Sequence, residues 1–377
     1  MKVLHIYRTY FPDPPGGLQE AIRQICLATR ERGVETRVFT LSPTPEPKEI
    51  DLPEAVVTRS LSWAAPASCD LGGIDSLQQF RAQAEWADVL HFHFPWPFAD
   101  VLQLLGRTRK PAVMTYHSDI VRQQLLGLVY APLMRFMLRS MSAVVATSPA
   151  YAKSSPALTK IVAASRLRTI PLGMLDYREE ALEARSQSSI LDRLGVADEP
   201  YFLALGVLRY YKGLHTLIEA ASRTSAKIVI AGSGPESEAL KMLARRLGAS
   251  NVVFAGQVSH VDKVVLLDGC RALVLSSHLR SEAFGMVLVE AAMFSKPLIC
   301  CEVGSGTSYV NEDGVTGYVV PPADSESLAA AIESLNTDAT LATRLGNEAR
   351  RRYERFFSAP ALGDAYVKLY QDVVANA

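Results

Sequence analysis

Residues 276–310 read SSHLRSEAFGMVLVEAAMFSKPLICCEVGSGTSYV, directly after an apolar run, and hold two carboxylates, Glu282 and Glu290. The run "ALVLSS" predicts a strand, "AFG" a loop, and the residues from near Met286 a helix. Gly285 at the helix entry removes a side chain where backbone amides carry positive partial charge, a setting for a phosphate. Glu290 is flanked by "MVLV" and "AAM", a poor environment for a surface residue. Carboxylates rarely sit so close to a buried element without partners. The stretch therefore reads as a site, with Glu290 accepting from sugar hydroxyls and Glu282 in the loop ahead of the helix. The plainer alternative makes Glu282 a favourable first-turn charge and Glu290 a solvated helix position.

Working outward, the same strand–loop–helix unit recurs. In the second half "YFLALGVL", "KIVIAGSG", "NVVFAG", "ALVLSS", "PLICCE" and "GYVVPP" read as strands, and in the first half "KVLHIY", "TRVFTL", "DVLHFHF", "AVMTYH", "AVVATS" and "RTIPLG" do. Between the first two of that half, Leu18, Ala21, Ile22, Ile25 and Thr29 mark one helix face, and Gly33 ends it. Strands apolar throughout and alternating with helices imply parallel sheets covered on both faces. The expectation is an α/β chain of two doubly wound domains with a cleft between them, ligands meeting the carboxyl ends of the strands. Residues 1–175 form the first domain, 176–200 a charged and serine-rich linker, 201–350 the second domain, and 351–377 terminal helices packing back toward the first.

At 377 residues the chain exceeds what one core usually accommodates, which agrees with two domains. The 39 basic residues balance 39 acidic ones, against a general nucleic-acid binder. No apolar run approaches the ~20 residues of a membrane-spanning helix. "MKVLHIYRTYFP" has too short an apolar run for a secretory signal and reads as a first strand. Cys26, Cys69, Cys270, Cys300 and Cys301 are odd in number and lack metal-type spacing, so buried thiols in a reducing cytoplasm are expected.

Further motifs fall just after strands. "LGVLRYYKG" carries Arg209 and Lys212, two cations placed to neutralise a pyrophosphate. "AGSGPE" offers Gly232 and Gly234 as a tight turn beside a nucleotide, but it lacks the third glycine of a dinucleotide fold. "NVVFAG" ends without the acidic residue that a ribose site would want, which counts against NAD. "DPPGGLQEAI" sets Gly16 and Gly17 at a helix N-terminus, an anion site or a plain turn. "MTYHSDI" sets His117 and Asp119 beyond a strand end, His117 being read as a site residue against the alternative of a satisfied core histidine. There is no Asp-x-Asp and no P-loop, so cations and helix dipoles must hold any diphosphate.

"SEAFGMVLVEAA" resembles the Glu-x7-Glu motif of retaining glycosyltransferases of family 4, which have the two-domain GT-B fold. The likeness runs along nearly the whole chain, through "GG", "HSD", "TSPAY", "IPLG", "KG", "AGSGPE" and "NEDGVTGYVVPPAD". "HFPWP", "LRYYKG" and "GSGTSYVN" resemble the bacterial mannosyl- and rhamnosyltransferases that build O-antigen or related polysaccharides from GDP-sugars. One departure is Val207, where many members carry arginine.

The resemblance implies donor-sugar contacts at Glu282, backbone amides of Phe284, Gly285, Met286 and Val287 on sugar and phosphate, and ribose on Glu290. It sets Gly256, Gln257 and Val258 beside the base, His117 beside the donor sugar, and Gly16 and Gly17 near its phosphate. Lys212 and Arg209 would take the diphosphate. No cofactor and no metal are implied. The partners implied are a nucleotide-sugar donor and a lipid-linked or soluble oligosaccharide acceptor, and no nucleic acid. The location implied is cytoplasmic.

"VRQQLLGLVYAPLMRFMLRSMS", with Arg122, Arg135 and Arg139, has two readings. One is a peripheral helix on the inner membrane's cytoplasmic face. The other is a core-facing helix broken near Pro132. Alternatives to a GDP-sugar transferase are a UDP-sugar transferase, a nucleotide-sugar epimerase, a phosphorylase with a pyridoxal-bearing lysine, and a non-catalytic nucleotide-sugar sensor.

Overall fold

The computed structural model describes residues 1–13, 16–66, 69–119 and 124–377, with backbone alone for 124–129. The chain divides into two units, Met1–Leu175 with Ser358–Ala377, and Asp176–Phe357. Each is a sheet wrapped by helices.

The first unit holds β1 (Lys2–Ile6), β2 (Glu35–Ser42), β3 (Glu49–Asp51), β4 (Val56–Leu61), β5 (Val89–Phe94), β6 (Ala112–Tyr116), β7 (Ala143–Ala146) and β8 (Leu167–Thr169). Their order is β3-β4-β2-β1-β5-β6-β7-β8, and only β3 runs antiparallel. All six residues of β5 and all five of β6 are buried, as near-continuous apolar strands under helices must be. The helix Gly17–Arg30 buries Ala21, Ile22, Ile25 and Thr29 against this sheet. Beside it the helix Ala359–Ala375 adds Leu362, Tyr366, Leu369 and Tyr370 to the same core. A β-carbon on Gly363 would lie 2.4 Å from the Ala28 carbonyl oxygen, so that helix pair needs glycine at its closest approach.

The second unit holds β9 (Tyr201–Leu205), β10 (Lys227–Ala231), β11 (Val252–Gly256), β12 (Ala272–Leu275), β13 (Leu298–Cys301) and β14 (Gly317–Val320), in the order β11-β10-β9-β12-β13-β14. All pairings are parallel. Phe202, Ile218, Ile228, Ile230, Val274, Ile299, Ile332 and Leu335 form its core.

All twelve strand runs read from the sequence are strands here, and β3 and β4 are two more. Segment 176–200, expected as a linker, belongs to the second unit. Its helices Ala181–Gln187 and Ile190–Leu194 lie against His260–Gly269, with an Arg185–Asp268 ion pair at 2.6 Å. Of the expected terminal helices, Ala339–Phe356 is in the second unit and Ala359–Ala375 in the first. The helix Gln124–Ser140 runs through Pro132 instead of breaking there. Arg122 lies outside the described residues. No described helix is long and apolar enough to cross a membrane. The five cysteines are free thiols, and all but Cys69 are buried.

Candidate active site

Strand order reverses between β9 and β12 in the second unit. At such a switch point the loops leaving two neighbouring strands diverge, and a ligand can settle between them. The loop after β9 carries Arg209 and Lys212, and the loop after β12 carries Ser277 and Glu282. Lys212 Nζ donates to Glu282 Oε2 at 2.5 Å, and Ser277 Oγ donates to the same oxygen at 3.1 Å. Both charged side chains are largely buried, 14% and 11% exposed, so neither would be stable there alone. Burial works against the Lys212 ammonium, but Glu282 and Tyr211 together more than offset it and the lysine pKa stands above its usual value. The loops are tied further by Ser276 Oγ to the Lys212 carbonyl at 3.0 Å and Ser305 Oγ to the Glu282 carbonyl at 2.6 Å.

Gly285 stands at φ +87° immediately before the helix Met286–Met293, a left-handed conformation that favours glycine. Phe284 is buried, with its ring 6.1 Å from Phe357, and holds the loop down. Met286 and Val287 are half-buried at the first helical positions, where amides lack helical partners.

One turn on, Glu290 is 8% exposed. Its Oε1 accepts from Tyr177 Oη at 2.8 Å and Lys263 Nζ at 2.6 Å. The two glutamates thus share a pattern. Each has one carboxylate oxygen held by a lysine and a hydroxyl, and the other has no hydrogen-bond partner among the described residues.

The remaining predicted residues differ in their surroundings. The Arg209 side chain is exposed and forms no ion pair or hydrogen bond among the described residues, but its charge acts on Lys212. Val207 is exposed. Gly232 and Gly234 are explained by packing: β-carbons there would lie 1.9 Å from the Gly206 carbonyl oxygen and 2.4 Å from that of Leu208. They let the loop after β10 lie against the loop that leads to Lys212. Gly256 stands at φ +70°, Gln257 is exposed and accepts from Ser233 Oγ at 2.8 Å, and Val258 is half-buried.

The first unit holds the other predicted residues. Gly17 begins the helix Gly17–Arg30 and Gly16 caps it in extended conformation, both exposed. His117 follows β6, is 4% exposed, and bonds through Nε2 to His93 Nδ1 at 3.1 Å. Asp119 is held by Tyr116 and Ser155 hydroxyls at 3.0 and 2.7 Å.

Sequence reasoning missed Ser277, Tyr177, Lys263, His5 and His93. Tyr177 lies 113 residues from Glu290, inside the supposed linker, and carried no signal. For His93 a signal existed: "LHFHF" puts two histidines on one face of an otherwise apolar strand.

Two α/β units with largely parallel sheets make a GT-B fold, and paired lysine–glutamate groups stand at and beside the switch point of the second. Residues 188–352 match the family model of glycosyl transferases group 1, and residues 16–173 match that of the glycosyl transferase 4-like domain. The chain belongs to this glycosyltransferase family. It is 40% identical over 376 residues to O-antigen chain mannosyltransferase C of Escherichia coli, covering 100% of both chains. It is also 40% identical over 359 residues to D-rhamnosyltransferase WbpZ of Pseudomonas aeruginosa, covering 95% of this chain and 93% of the relative. Sucrose-phosphate synthase from Thermosynechococcus elongatus shares the fold at TM-score 0.79 and 22% identity, covering 100% of each chain.

Proposed function

We propose that the protein transfers a hexose, mannose or rhamnose, from a GDP-sugar to a glycan acceptor in cell-surface polysaccharide synthesis, with retention at the anomeric carbon and without a metal. The reading is carried by the Lys212–Glu282–Ser277 cluster beside the Gly285-led helix. The named activities of the two 40%-identical relatives support the sugar and the polysaccharide.

In this reading the diphosphate lies on Lys212, Arg209 and the amides of Phe284 to Val287, with Gly16 and Gly17 as further phosphate amides. The free oxygen of Glu290 takes the ribose hydroxyls. Gln257 and Val258 flank the base, with Gly232 and Gly234 shaping the loop nearby. Glu282 and His117 hold donor-sugar hydroxyls.

As the bond between the anomeric carbon and phosphate oxygen breaks, the diphosphate leaves with the electron pair. Lys212, Arg209 and the helix amides stabilise that charge where it develops. The carbon becomes oxocarbenium-like. The acceptor oxygen then bonds to it on the face the phosphate left, and the acceptor's proton passes to the leaving phosphate. Lys212 already partners Glu282, so the site holds a charge-neutral pair before the doubly charged diphosphate of the donor arrives.

The acceptor is proposed to be lipid-linked and met at the cytoplasmic face of the inner membrane through the helix Gln124–Ser140. There Met137 and Leu138 are buried, while Arg135, Phe136 and Arg139 are exposed. Sedimentation with anionic vesicles tests that contact, and absence of co-sedimentation at low salt would remove it.

The deciding experiment is calorimetric titration with GDP, UDP and ADP in chelator, followed by turnover of GDP-mannose and GDP-rhamnose with the product anomer read by NMR. Preference for GDP and a retained anomer support the proposal. Preference for UDP would discard the donor, and binding only after a divalent cation is added would discard the metal-free mechanism.

A further inference from the structure

His5 on β1, His91 and His93 on β5 and His117 just past β6 cluster inside the first unit's sheet. β1 and β5 flank its own switch point, with His5 level with His91 and His93 level with Thr115 in the strand registers. All four rings are buried. His5 Nδ1 lies 3.0 Å from His93 Nε2, and His93 Nδ1 lies 3.1 Å from His117 Nε2. His91 stands outside this file, with Nδ1 on Tyr370 Oη at 2.7 Å and Nε2 on Thr115 Oγ1 at 2.8 Å.

A hydrogen bond between two neutral imidazoles needs an N–H on one ring and a lone pair on the other, and each neutral ring has one of each. Burial keeps these rings neutral, with His5 and His117 pushed down to about 3 and His93 well below the usual value. Both nitrogens of His93 are engaged, so its tautomer sets both bonds together. Only two arrangements exist.

In the first, His5 donates from Nδ1, His93 donates from Nδ1, and His117 carries its proton on Nδ1. In the second every bond reverses, and the proton of His5 falls on Nε2. That nitrogen is buried without a hydrogen-bond partner among the described residues. An orphaned N–H in the interior is the rarer outcome, so the first arrangement holds. His117 Nε2 faces His93 in either case, which leaves Nδ1 as the nitrogen that can meet a ligand.

We infer that His5 and His93 are positioning residues, which through this file of three imidazoles fix the proton of His117 on Nδ1. His117 then meets its ligand as a neutral hydrogen-bond donor to an oxygen, such as a sugar hydroxyl, and does not act as a base. The ligand's identity rests on the proposed transferase reading, while the tautomers do not. His5, His91 and His93 also place one ring nitrogen each within 4.8 Å of one another, as metal ligands would. The ring nitrogens of His91 are already taken by two hydroxyls, which favours the hydrogen-bonded file.

The test is 15N NMR of the full chain with labelled histidine, its resonances assigned by single substitutions. Protonated Nδ1 and bare Nε2 on His5, His93 and His117 are expected. A protonated Nε2 on His93 or His117, or a stoichiometric bound metal, would overturn the inference even if transfer proceeds. His93→Asn keeps an amide N–H where Nδ1–H stood and should preserve the His117 tautomer and the donor KM. His93→Leu frees His117 and should raise donor KM about fivefold, the worth of one neutral hydrogen bond. Equal KM in both variants, with His117 still protonated on Nδ1 in the leucine variant, would also overturn it. Failure of every donor to turn over, with the tautomers as stated, would instead remove the transferase reading.

Discussion

Lys212 and Glu282 stand seventy residues apart in the chain, and 2.5 Å separates their charged atoms. An amide in place of that carboxylate keeps the shape and removes the charge. Glu282→Gln is therefore expected to retain GDP affinity in calorimetry and to lose turnover by about a hundredfold or more, the scale of one electrostatic group acting in the transition state. Unchanged turnover would take Glu282 out of the chemistry. Lys212 has its pKa raised by Glu282 and Tyr211 against the cost of burial. Its stabilising charge is thus fully present below the ordinary lysine value of about 10.4 and is lost only as pH rises through a still higher one. Tyr177→Phe removes one of two donors to Glu290, while the ring stays 5.6 Å from Phe294 and 5.3 Å from His260. GDP affinity should fall in calorimetry, and stability in urea denaturation should drop by about 1.5 kcal/mol or more, since that is what a hydrogen bond to a charged group contributes. The glutamates, Lys212 and His117 were legible because each follows a strand end. Tyr177 and Lys263 were not, because a carboxylate's partners are chosen by the folded chain.

At the scale of elements, the loop–helix joint at Gly285 is constrained both in space and in backbone conformation. An added β-carbon would sit 2.9 Å from Leu275 Cδ2 in a left-handed backbone. Gly285→Ala should lower stability by about 1–2 kcal/mol or more and weaken donor binding with it, measured by urea denaturation and calorimetry. β4 shows the opposite relation to the sequence. "VVTRSL" puts Arg59 in the strand interior, which argues against a buried strand until its partner is seen. Arg59 Nη2 reaches Asp13 Oδ1 at 3.2 Å, Ser42 Oγ at 2.8 Å and the Thr44 carbonyl at 2.9 Å. Asp13→Ala leaves that guanidinium buried and unpaired, and should cost about 3–5 kcal/mol of stability in denaturant titration. The other strands were readable from apolar runs alone, because a sheet covered on both faces requires them.

For the whole molecule, the four buried histidines make the first unit acid-sensitive. His5 and His117 are pushed down to about 3 by burial, and His91 and His93 lie well below the usual value through burial and their histidine neighbours. The unfolded chain takes up these protons near pH 6.5, while in the folded chain His5 and His117 do not until near pH 3 and burial holds His91 and His93 neutral well below the usual value. The stability they confer is therefore complete above about pH 6.5 and lost as pH falls, by up to about 1.4 kcal/mol per pH unit for each histidine. Denaturation midpoints at pH 7.5, 6 and 5 should fall in that order, and equal midpoints would contradict the burial argument. Removal of residues 358–377 should leave the first unit insoluble, because Leu362, Tyr366, Leu369, Tyr370 and Val373 belong to its core.

The sequence by itself determined the strand–helix alternation, two sheets, and the post-strand positions of Glu282, Glu290, Lys212 and His117. Those features are local: periodicity, glycine at a turn, and charge beside an apolar run act within a few residues. Only the tertiary structure decided that the last helix completes the first unit and that 176–200 builds the second. It alone decided that Tyr177 and Lys263 hold Glu290, and that His5 on β1, His93 on β5 and His117 just past β6 share a line of protons. Each of these joins groups far apart in sequence, and the match of shape and polarity that joins them exists only once the sheets have formed.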